Sequence, residues 1–563
     1  MQIKNHLADL VKQAIVNAQS AGALPAFPMP DVFVERPQRK EWGDFSTSLP
    51  LKLARDAKRA PLQIAQVLAA HVPPDETVAK VDASAPGFVN FTLNNSWVAK
   101  QVDEILAAGA HYGNLTQEKP QRIQVEYVSA NPTGPLHIGG GRNGAIGDTL
   151  ANLLEAIGQN VQREFYINDN GSQVRIFGES IFARYANALG RAEPFPENGY
   201  QGDYIIEMGK QVAQEHGDKF LNMPRKDATR ALGRIGIQWV IDGYAKTLGR
   251  MGVHFDNWFS ERSLHEDGTF TQALKILQDK GLTLEKDGAV WFAAQELGED
   301  KDAVLIRSPQ VIAEPDERPT YLGSDVAYVW NKLVIRKFDR AIYIWGADHH
   351  GDVPRVMAVT RALGLDPTHV SILIHQFVNL KRGGELVKMS KRAGEFVKMD
   401  DLLDEVGPDA VRFMLISRSA DTTIDFDIEL AKKQSDENPV YYVQYSHARI
   451  ASILNKAAES GLTIDGADLS LLTHPAELEL IREMLRLTEV VELAASKLEP
   501  HHLPHYAIQL AGVFHSFYDQ CHVVSSDPAD DAISRARLKL VQAAQNAFAR
   551  TLNLMGVSAP ETM

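Results

Sequence analysis

Apolar and polar positions follow two different periods along the chain, and the change from one to the other divides it into three parts. The first part mixes helical periodicity, as in "PLQIAQVLAAHV", with short alternating runs such as "GFVNFTL". In that run Val89, Phe91 and Leu93 share one face of a strand. We therefore expect a compact N-terminal α+β domain over 1–110, followed by a polar linker, "HYGNLTQEKPQR", at 111–122.

From residue 123 onward, runs rich in β-branched and aromatic residues alternate with helical periodicity. "IQVEYVS" is followed by "AIGDTLANLLEAIG" and then by "VQREFYI", and "AIYIWGA" and "VSILIHQFV" have the same strand character further along. Alternating strands and helices are typical of a parallel sheet with right-handed crossovers. We predict a parallel-sheet domain over 120–400, with helical insertions at about 180–310 and a β-like patch, "GAVWFAA", among them.

After about residue 400 the apolar positions recur every three or four residues almost without interruption. Examples are "DAVRFMLISR", "NPVYYVQYSHARI" and "ELELIREMLRLTEVVELAASKL". This period predicts a helical bundle over 401–563. The expected fold class is thus a multidomain α/β protein: a Rossmann-like parallel-sheet domain between an N-terminal α+β domain and a C-terminal α-helical bundle.

Composition narrows the class of protein without identifying it. The chain has 563 residues, which suggests three or four domains. Its apolar fraction of 44% and charged fraction of 23% are ordinary for a globular protein, and the single Cys521 excludes an intrachain disulfide and a multi-cysteine zinc site. The start "MQIKNHLADLVKQAIV" lacks an apolar leader, and no run is long enough to span a bilayer, so we expect a cytoplasmic protein. A net charge of −14 confines any RNA contact to local basic faces.

A glycine-rich loop between the first strand and helix of the sheet domain admits two interpretations. Gly139, Gly141 and Gly144 spell a dinucleotide-binding turn, and the acidic Glu164 follows at the expected distance. However, that turn needs its first glycine directly after the strand, and here two prolines intervene. The alternative is that His137 precedes a helix N-terminus that accepts the phosphates of ATP.

A second, distant stretch favours the phosphate interpretation. "LVKMSKRAGEFVKM" carries Lys388, Lys391 and Arg392 within five residues. Such cations can neutralise a developing pyrophosphate, although a charge run taken alone is more often a solvated face. This basic stretch favours phosphate binding because it occurs together with the histidine loop upstream.

Together, "HIGG" at 137–140 and "KMSKR" at 388–392 resemble the two signature motifs of class I aminoacyl-tRNA synthetases. The surrounding sequence resembles the arginyl-tRNA synthetases of that class, over essentially the whole chain. The motifs that carry this resemblance are "VEYVSANPTGPLHIG", "REFYINDNGSQV", "TYLGSDVAY", "IWGADHHGDVPR" and "NPVYYVQYSHARI". One position departs from it, because the family's first motif usually ends in a second histidine where this chain has Gly140.

The resemblance implies ATP-dependent attachment of arginine to tRNA(Arg) by a monomer that uses Mg²⁺, with no further metal site. Its catalytic residues would be His137, Lys388 and Lys391. ATP would bind at Gly139, Gly140, Gly346 and Asp348. Arginine would bind at Glu126, Asn131, Tyr321, Asp325 and His349. A guanidinium group is a planar fork of donors with fixed charge, so the acids in this set suit it chemically.

For RNA, the informative residues are Tyr441, Tyr445 and Arg449, which are spaced at four on one face of a predicted helix. Aromatic rings beside a guanidinium can stack on unpaired bases, but by pattern alone burial within a bundle is as plausible. The family resemblance favours RNA binding. Two rivals to the main hypothesis remain, a non-catalytic RNA-binding relative and a dinucleotide-dependent oxidoreductase.

Overall fold

The computed structural model describes residues 3–387 and 397–563. Its first elements are α1 (Ile3–Ser20), β1 (Phe45–Thr47), α2 (Leu49–Ala57), α3 (Pro61–His71), β2 (Val78–Ser84), β3 (Phe88–Leu93) and α4 (Asn95–Ala108). Strand β3 is central and pairs antiparallel with both β1 and β2. Val89, Phe91 and Leu93 are buried, as their alternation predicts. Asn90 on the other face is buried too, and it donates a hydrogen bond to Ser84 Oγ at 2.9 Å.

A five-stranded parallel sheet forms the centre of the molecule, in the order β11-β10-β4-β5-β6. Its part of the chain runs through β4 (Arg122–Glu126), α5 (Ile138–Ala156), β5 (Asn160–Ile167), α6 (Ser172–Ala188), α7 (Asp203–His216), α8 (Arg225–Arg250), β6 (Asn257–Ser260), α9 (Glu261–Glu266), α10 (Thr269–Asp279), β7 (Thr283–Lys286), β8 (Ala289–Phe292), β9 (Ala303–Ile306), α11 (Tyr321–Trp330), β10 (Arg340–Gly346), α12 (Val353–Ala362), β11 (Val370–His375), β12 (Val378–Arg382) and β13 (Glu385–Leu386). The predicted multidomain α/β fold class is confirmed.

The chain leaves β4 toward β5 and β6 on one side, and later returns to β10 and β11 on the other. The sheet therefore reverses its winding direction between β4 and β10. In open parallel sheets, a crevice opens at the carboxyl ends of the strands at such a switch point.

Helix α5 is buried almost all round rather than along one stripe. Of the apolar stripe that the sequence predicts for this helix, Ile146, Leu150, Leu153 and Leu154 are buried and Ile157 is half-buried, and Arg142, Asn143 and Asp148 on the other faces are buried too. Because α5 packs against the sheet on one side and against C-terminal helices on the other, its polar residues must find partners inside the protein.

The stretch at 180–310 is not wholly an insertion. Its strand β6 pairs in parallel with β5 and completes the central sheet. The insertion begins after β6 and contains a small antiparallel sheet, β7-β8-β9. The predicted patch "GAVWFAA" contains the central strand β8 of that sheet. Four-residue strands such as β6 are too short to give a clear periodic signal.

The remaining elements are α13 (Met399–Val406), α14 (Pro408–Ile416), β14 (Ile424–Asp427), α15 (Ile428–Lys432), α16 (Pro439–Glu459), α17 (Pro475–Lys497), α18 (His502–Gln520) and α19 (Asp531–Leu554). They form the predicted helical bundle, with one difference. Strand β14 pairs in parallel with β12, so a strand from the C-terminal part extends the small sheet that follows β11.

The N-terminal part of the chain and the C-terminal bundle are joined by polar contacts and shared packing. Helix α4 packs against α17 and α19 rather than against the N-terminal sheet. The N-terminal domain also forms ion pairs with α17, through Arg36 and Glu489 at 2.8 Å and through Asp44 and Arg482 at 2.7 Å.

Within the described residues, every helix is too short or too polar to cross a membrane.

Candidate active site

A cavity of about 1310 Å³ opens at the carboxyl edge of the central sheet, where β4 and β10 end side by side. Ten of the predicted site residues line it. They are Glu126, Asn131, His137, Gly139, Gly140, Tyr321, Asp325, Gly346, Asp348 and His349. Residues up to 223 positions apart in the sequence (126 and 349) therefore meet at one place.

His137 is the N-cap of α5, and its Nδ1 accepts a hydrogen bond from the Gly139 N–H at 3.1 Å. A Cβ at Gly139 would lie 2.9 Å from His137 Cε1, so a glycine is needed for the imidazole to fold over the first turn. The helix start thus brings an imidazole and backbone N–H groups to the cavity wall. This arrangement suits an anion.

Gly140 occupies the position where the resemblance leads us to expect a histidine. The residue is buried, and a Cβ placed there would lie 2.5 Å from Leu136 Cδ1. The space that a second imidazole would need is therefore filled by Leu136, which is itself 3% exposed.

Lys388 and Lys391 lie outside the described residues, so their predicted role stays a prediction. The described part of the chain resumes at residue 397, and its first residues lie at the start of α5. Lys398 forms an antiparallel bridge with His137, and the Met399 N–H donates to Leu136 O at 2.9 Å. The Met399 side chain also packs against Gly141, where a Cβ would lie 2.5 Å from its sulfur.

Glu126, at the end of β4, is not a free carboxylate. Its Oε2 lies 2.5 Å from Lys332 Nζ, and both side chains are almost completely buried. Sequence reasoning missed Lys332, because a single lysine in "VWNKL" gives no sign of a partner 206 positions away.

Asp325 on α11 reaches the same cavity without a basic partner. Among the residues that the structure describes, none forms an ion pair or a side-chain hydrogen bond with it. Burial and the nearby charges of Glu126 and Glu261 together raise the pKa of Asp325 to about 8, although the charge of Lys332 acts in the opposite direction. A carboxyl group with a raised pKa and no ion pair of its own favours binding of a cation.

Glu261, the first residue of α9, is a second acid that sequence reasoning missed. It is 5% exposed and does not line the cavity; its Oε1 accepts a hydrogen bond from Ser324 Oγ at 2.6 Å, and its Oε2 has no hydrogen-bond partner among the residues that the structure describes. Burial raises its pKa to about 7. Its position directly after β6, at the carboxyl end of a parallel strand, is the signal that could have found it.

The remaining predicted ligands lie nearer the cavity mouth. Tyr321 is 54% exposed, and Asn131 Oδ1 accepts a hydrogen bond from Asn168 Nδ2 at 3.1 Å. His349 Nδ1 lies 3.5 Å from an Asp352 carboxylate oxygen, and its ring lies 6.0 Å from that of Trp345. These side chains are accessible to a ligand that enters the cavity.

Comparison with known proteins identifies the family. The family described as "tRNA synthetases class I (R), catalytic domain" matches residues 101–197 and 203–451. "Arginyl tRNA synthetase N terminal domain" matches 3–93, and "DALR anticodon binding domain" matches 443–563. The chain belongs to the arginyl-tRNA synthetase family.

Individual relatives agree with this family along their whole length. An arginine–tRNA ligase of Dehalococcoides mccartyi strain CBDB1 is 46% identical over 563 residues, which is 100% of this chain and 99% of the relative. One from Carboxydothermus hydrogenoformans is 43% identical with the same coverage. The fold of Thermus thermophilus arginyl-tRNA synthetase superposes with a TM-score of 0.76 over 100% of both chains, at 22% identity.

In this member of the family, the glycines that match the dinucleotide-binding pattern, Gly139, Gly141 and Gly144, have a structural role at the start of α5. Glu164, which a ribose would need, is completely buried and is held by Arg336 and Asn257, the latter at 2.6 Å. Gly141 and Gly144 pack closely against Met399 and Leu248, since an added Cβ would lie 2.5 Å from the Met399 sulfur and 3.2 Å from Leu248 Cδ2. The oxidoreductase rival therefore loses its support.

Helix α16 places the predicted RNA-binding residues on a partly exposed face. The rings of Tyr441 and Tyr445 stack with centroids 6.0 Å apart, and the Arg449 guanidinium lies 5.0 Å from the Tyr445 ring and 4.7 Å from that of Tyr518. A cavity of about 400 Å³ beside them is also lined by Lys456. The alternative of burial within the bundle does not describe these three side chains, which are half-buried.

Proposed function

We propose that this protein attaches L-arginine to tRNA(Arg) in two steps. The arginine carboxylate attacks the α-phosphate of ATP and pyrophosphate leaves; a hydroxyl of the terminal tRNA ribose then attacks the arginyl carbonyl and AMP leaves. The observation that carries the proposal is the cavity, which combines a helix start suited to phosphate with buried acids suited to a guanidinium.

For arginine, we propose that Asp325 and Glu126, which both line the cavity, receive the guanidinium, with Glu261 as a further acid whose charge acts on Asp325. Asp325 forms no ion pair among the described residues, and Glu126 is paired with Lys332. A guanidinium is a planar fork of donors that two carboxyl groups can share. Tyr321 would contact the same end, and Asn131 and His349 the α-amino end.

For ATP, we propose that the phosphates lie against the first turn of α5, with His137, Gly139 and Gly140, and that Gly346 and Asp348 contact the nucleoside. Mg²⁺ would enter as the ATP complex and help to neutralise the phosphates. Lys388 and Lys391 would stabilise the leaving pyrophosphate.

For tRNA, the proposed contact is the face of α16 that carries Tyr441, Tyr445 and Arg449. This face lies at the start of the region that resembles anticodon-binding domains. Its stacked rings and guanidinium suit an unpaired base. A monomeric, cytoplasmic protein remains our prediction.

The test is arginylation of tRNA(Arg) by wild-type protein and by Asp325→Asn and Glu126→Gln. Wild type should charge arginine, and each variant should raise the KM for arginine by about 100-fold or more, because a buried charge-assisted contact is lost. The exposed Asp279 supplies a matched control, since Asp279→Asn should behave like wild type. Absence of charging by wild type would overturn the proposed function, and unchanged arginine KM in both variants would overturn the assigned acids.

A further inference from the structure

The loop that connects β4 to α5 has few backbone donors of its own. Its middle reads "NPTGP" at 131–135, and neither proline has an N–H group. Inside this stretch, the Thr133 N–H donates to Asn131 O at 2.7 Å. With so few donors in the loop, its carbonyl groups depend on donors from other elements of the protein.

Two tyrosines on the helices between β5 and β6 supply those donors. Tyr244 OH on α8 donates to Gly134 O at 2.8 Å and to Asn131 O at 3.0 Å. Tyr204 OH on α7 donates to Thr133 O at 2.6 Å. A phenol carries a single proton, so the two carbonyls share the proton of Tyr244. The backbone of the loop is thus fastened to two different helices.

Both phenols are held in place by their surroundings. Tyr244 is 3% exposed, and its ring centroid lies 5.9 Å from that of Phe165 on β5. Tyr204 is half-buried, and its hydroxyl lies so near the loop that a Cβ at Gly134 would be 3.2 Å from it. Burial raises the pKa of both phenols, so both hydroxyls keep the proton that they donate at physiological pH.

The loop that these hydroxyls hold carries two of the predicted substrate contacts. Asn131 lies at its beginning and His137 at its end, and both line the cavity. In the proposed function, Asn131 contacts the α-amino end of arginine, and His137 contacts the phosphates of ATP. The arginine carboxylate can attack the α-phosphate only when the two substrates are held in a fixed relation, and a displacement of about 1 Å can cost about 100-fold in rate.

We infer that Tyr204 and Tyr244 are positioning residues for formation of the adenylate. Their hydroxyls hold the backbone at 131–134 and thereby fix where Asn131 and His137 lie. Helices α7 and α8, which lie between two strands of the central sheet in the chain, therefore support the active site. The inference rests on the proposed function, because arginine and ATP are taken as the ligands of this loop.

The test is steady-state arginylation by Tyr204→Phe and Tyr244→Phe. Each substitution keeps the ring and removes only the hydroxyl, so packing is preserved and one donor to the loop is lost. We expect kcat/KM to fall by about tenfold toward both arginine and ATP, since the loop carries a predicted contact for each substrate.

Tyr185 on α6 provides a matched control. Its hydroxyl also donates to a backbone carbonyl, Gly217 O at 2.6 Å, but this bond lies outside the cavity. Tyr185→Phe should lower the Tm at least as much as the two test variants do, and it should keep wild-type kcat/KM toward both substrates. The comparison separates positioning of the loop from general loss of stability.

Amide hydrogen exchange reports on the loop itself. The peptide that covers 127–138 should exchange faster in Tyr204→Phe and Tyr244→Phe than in wild type or Tyr185→Phe, because a loop that has lost a donor opens more often.

Wild-type kcat/KM in both test variants, or an equal loss in Tyr185→Phe, would overturn the inference. Wild-type protein assayed in parallel separates the two claims, since its failure to charge arginine would overturn the proposed function instead.

Discussion

The carboxyl group of Asp325 controls how the cavity responds to pH. Burial and the neighbouring acids raise its pKa to about 8, so at neutral pH the empty site holds it mostly protonated. Because a guanidinium favours the ionised form, arginine binding should expel this proton. Affinity should therefore rise with pH up to about 8 and level off above it.

Calorimetric titration with arginine from pH 6 to 9 checks this expectation. We expect the Kd to fall by up to about tenfold per pH unit below pH 8, with nearly one proton released per arginine at pH 7. Buffers of different ionisation enthalpy measure that proton directly. A Kd independent of pH, without proton release, would show that Asp325 does not meet the guanidinium.

Individual residues also mark the limit of sequence reasoning. Asp325 and Asn131 were found through their motifs, and the structure places both in the cavity. Glu261 was not found because the short strand β6 that ends directly before it was missed. Lys332 was not found because its significance lies in a contact with Glu126 that no local spacing encodes. A partner across a fold becomes visible only when the fold is known.

The start of α5 shows why one departure from the family motif has a structural consequence. Leu136 fills the space beside Gly140, so Gly140→His must displace a buried side chain. We expect this variant to lose about 1–3 kcal/mol of stability through overpacking and to charge arginine more slowly than wild type. Thermal unfolding and charging rates check both effects. Faster charging at unchanged Tm would mean that the missing imidazole matters more than the packing.

Helix α16 should contribute to tRNA affinity through its half-buried tyrosine rings. Tyr445→Ala removes the ring that stacks on Tyr441 and lies beneath Arg449, and it should raise the KM for tRNA by about 10- to 100-fold. Tyr445→Phe retains the ring and should stay near wild type. The KM for arginine should not change in either variant. An unchanged tRNA KM in Tyr445→Ala would remove this face from the proposed RNA contact.

The elements themselves were largely predictable, with differences that have physical causes. The strands around "VQREFYI" and "AIYIWGA" were found because both are rich in β-branched and aromatic residues. β6 and β14 were missed, since four residues carry too little periodicity to distinguish a strand from a loop. Helix α4 was assigned to the N-terminal domain because of its position in the chain, but it packs on α17 and α19. The periodicity of a helix shows which face is buried and not which element covers that face.

Across the whole molecule, one buried arginine joins the central sheet domain to the C-terminal bundle. Arg412 on α14 is completely buried; it pairs with Asp148 of α5 and donates to the carbonyls of Met555 and, at 2.7 Å, Met251. Removing one partner of a buried pair typically costs about 3–5 kcal/mol. We expect Arg412→Met to lower the apparent Tm by about 5 °C or more.

The double variant Asp148→Asn/Arg412→Met supplies the control, because it leaves no uncompensated buried charge. It should recover part of the lost Tm. Equal Tm values for Arg412→Met and wild type would contradict the central place of this pair in joining the two parts.

The most direct test of the account is to identify what the protein attaches to tRNA. Wild-type protein would be incubated with tRNA(Arg), Mg²⁺-ATP and all twenty amino acids, and the terminal nucleoside released by ribonuclease would be analysed by mass spectrometry. The account predicts arginyl-adenosine, formed only when ATP is present. Any other aminoacyl-adenosine, or none, would contradict it.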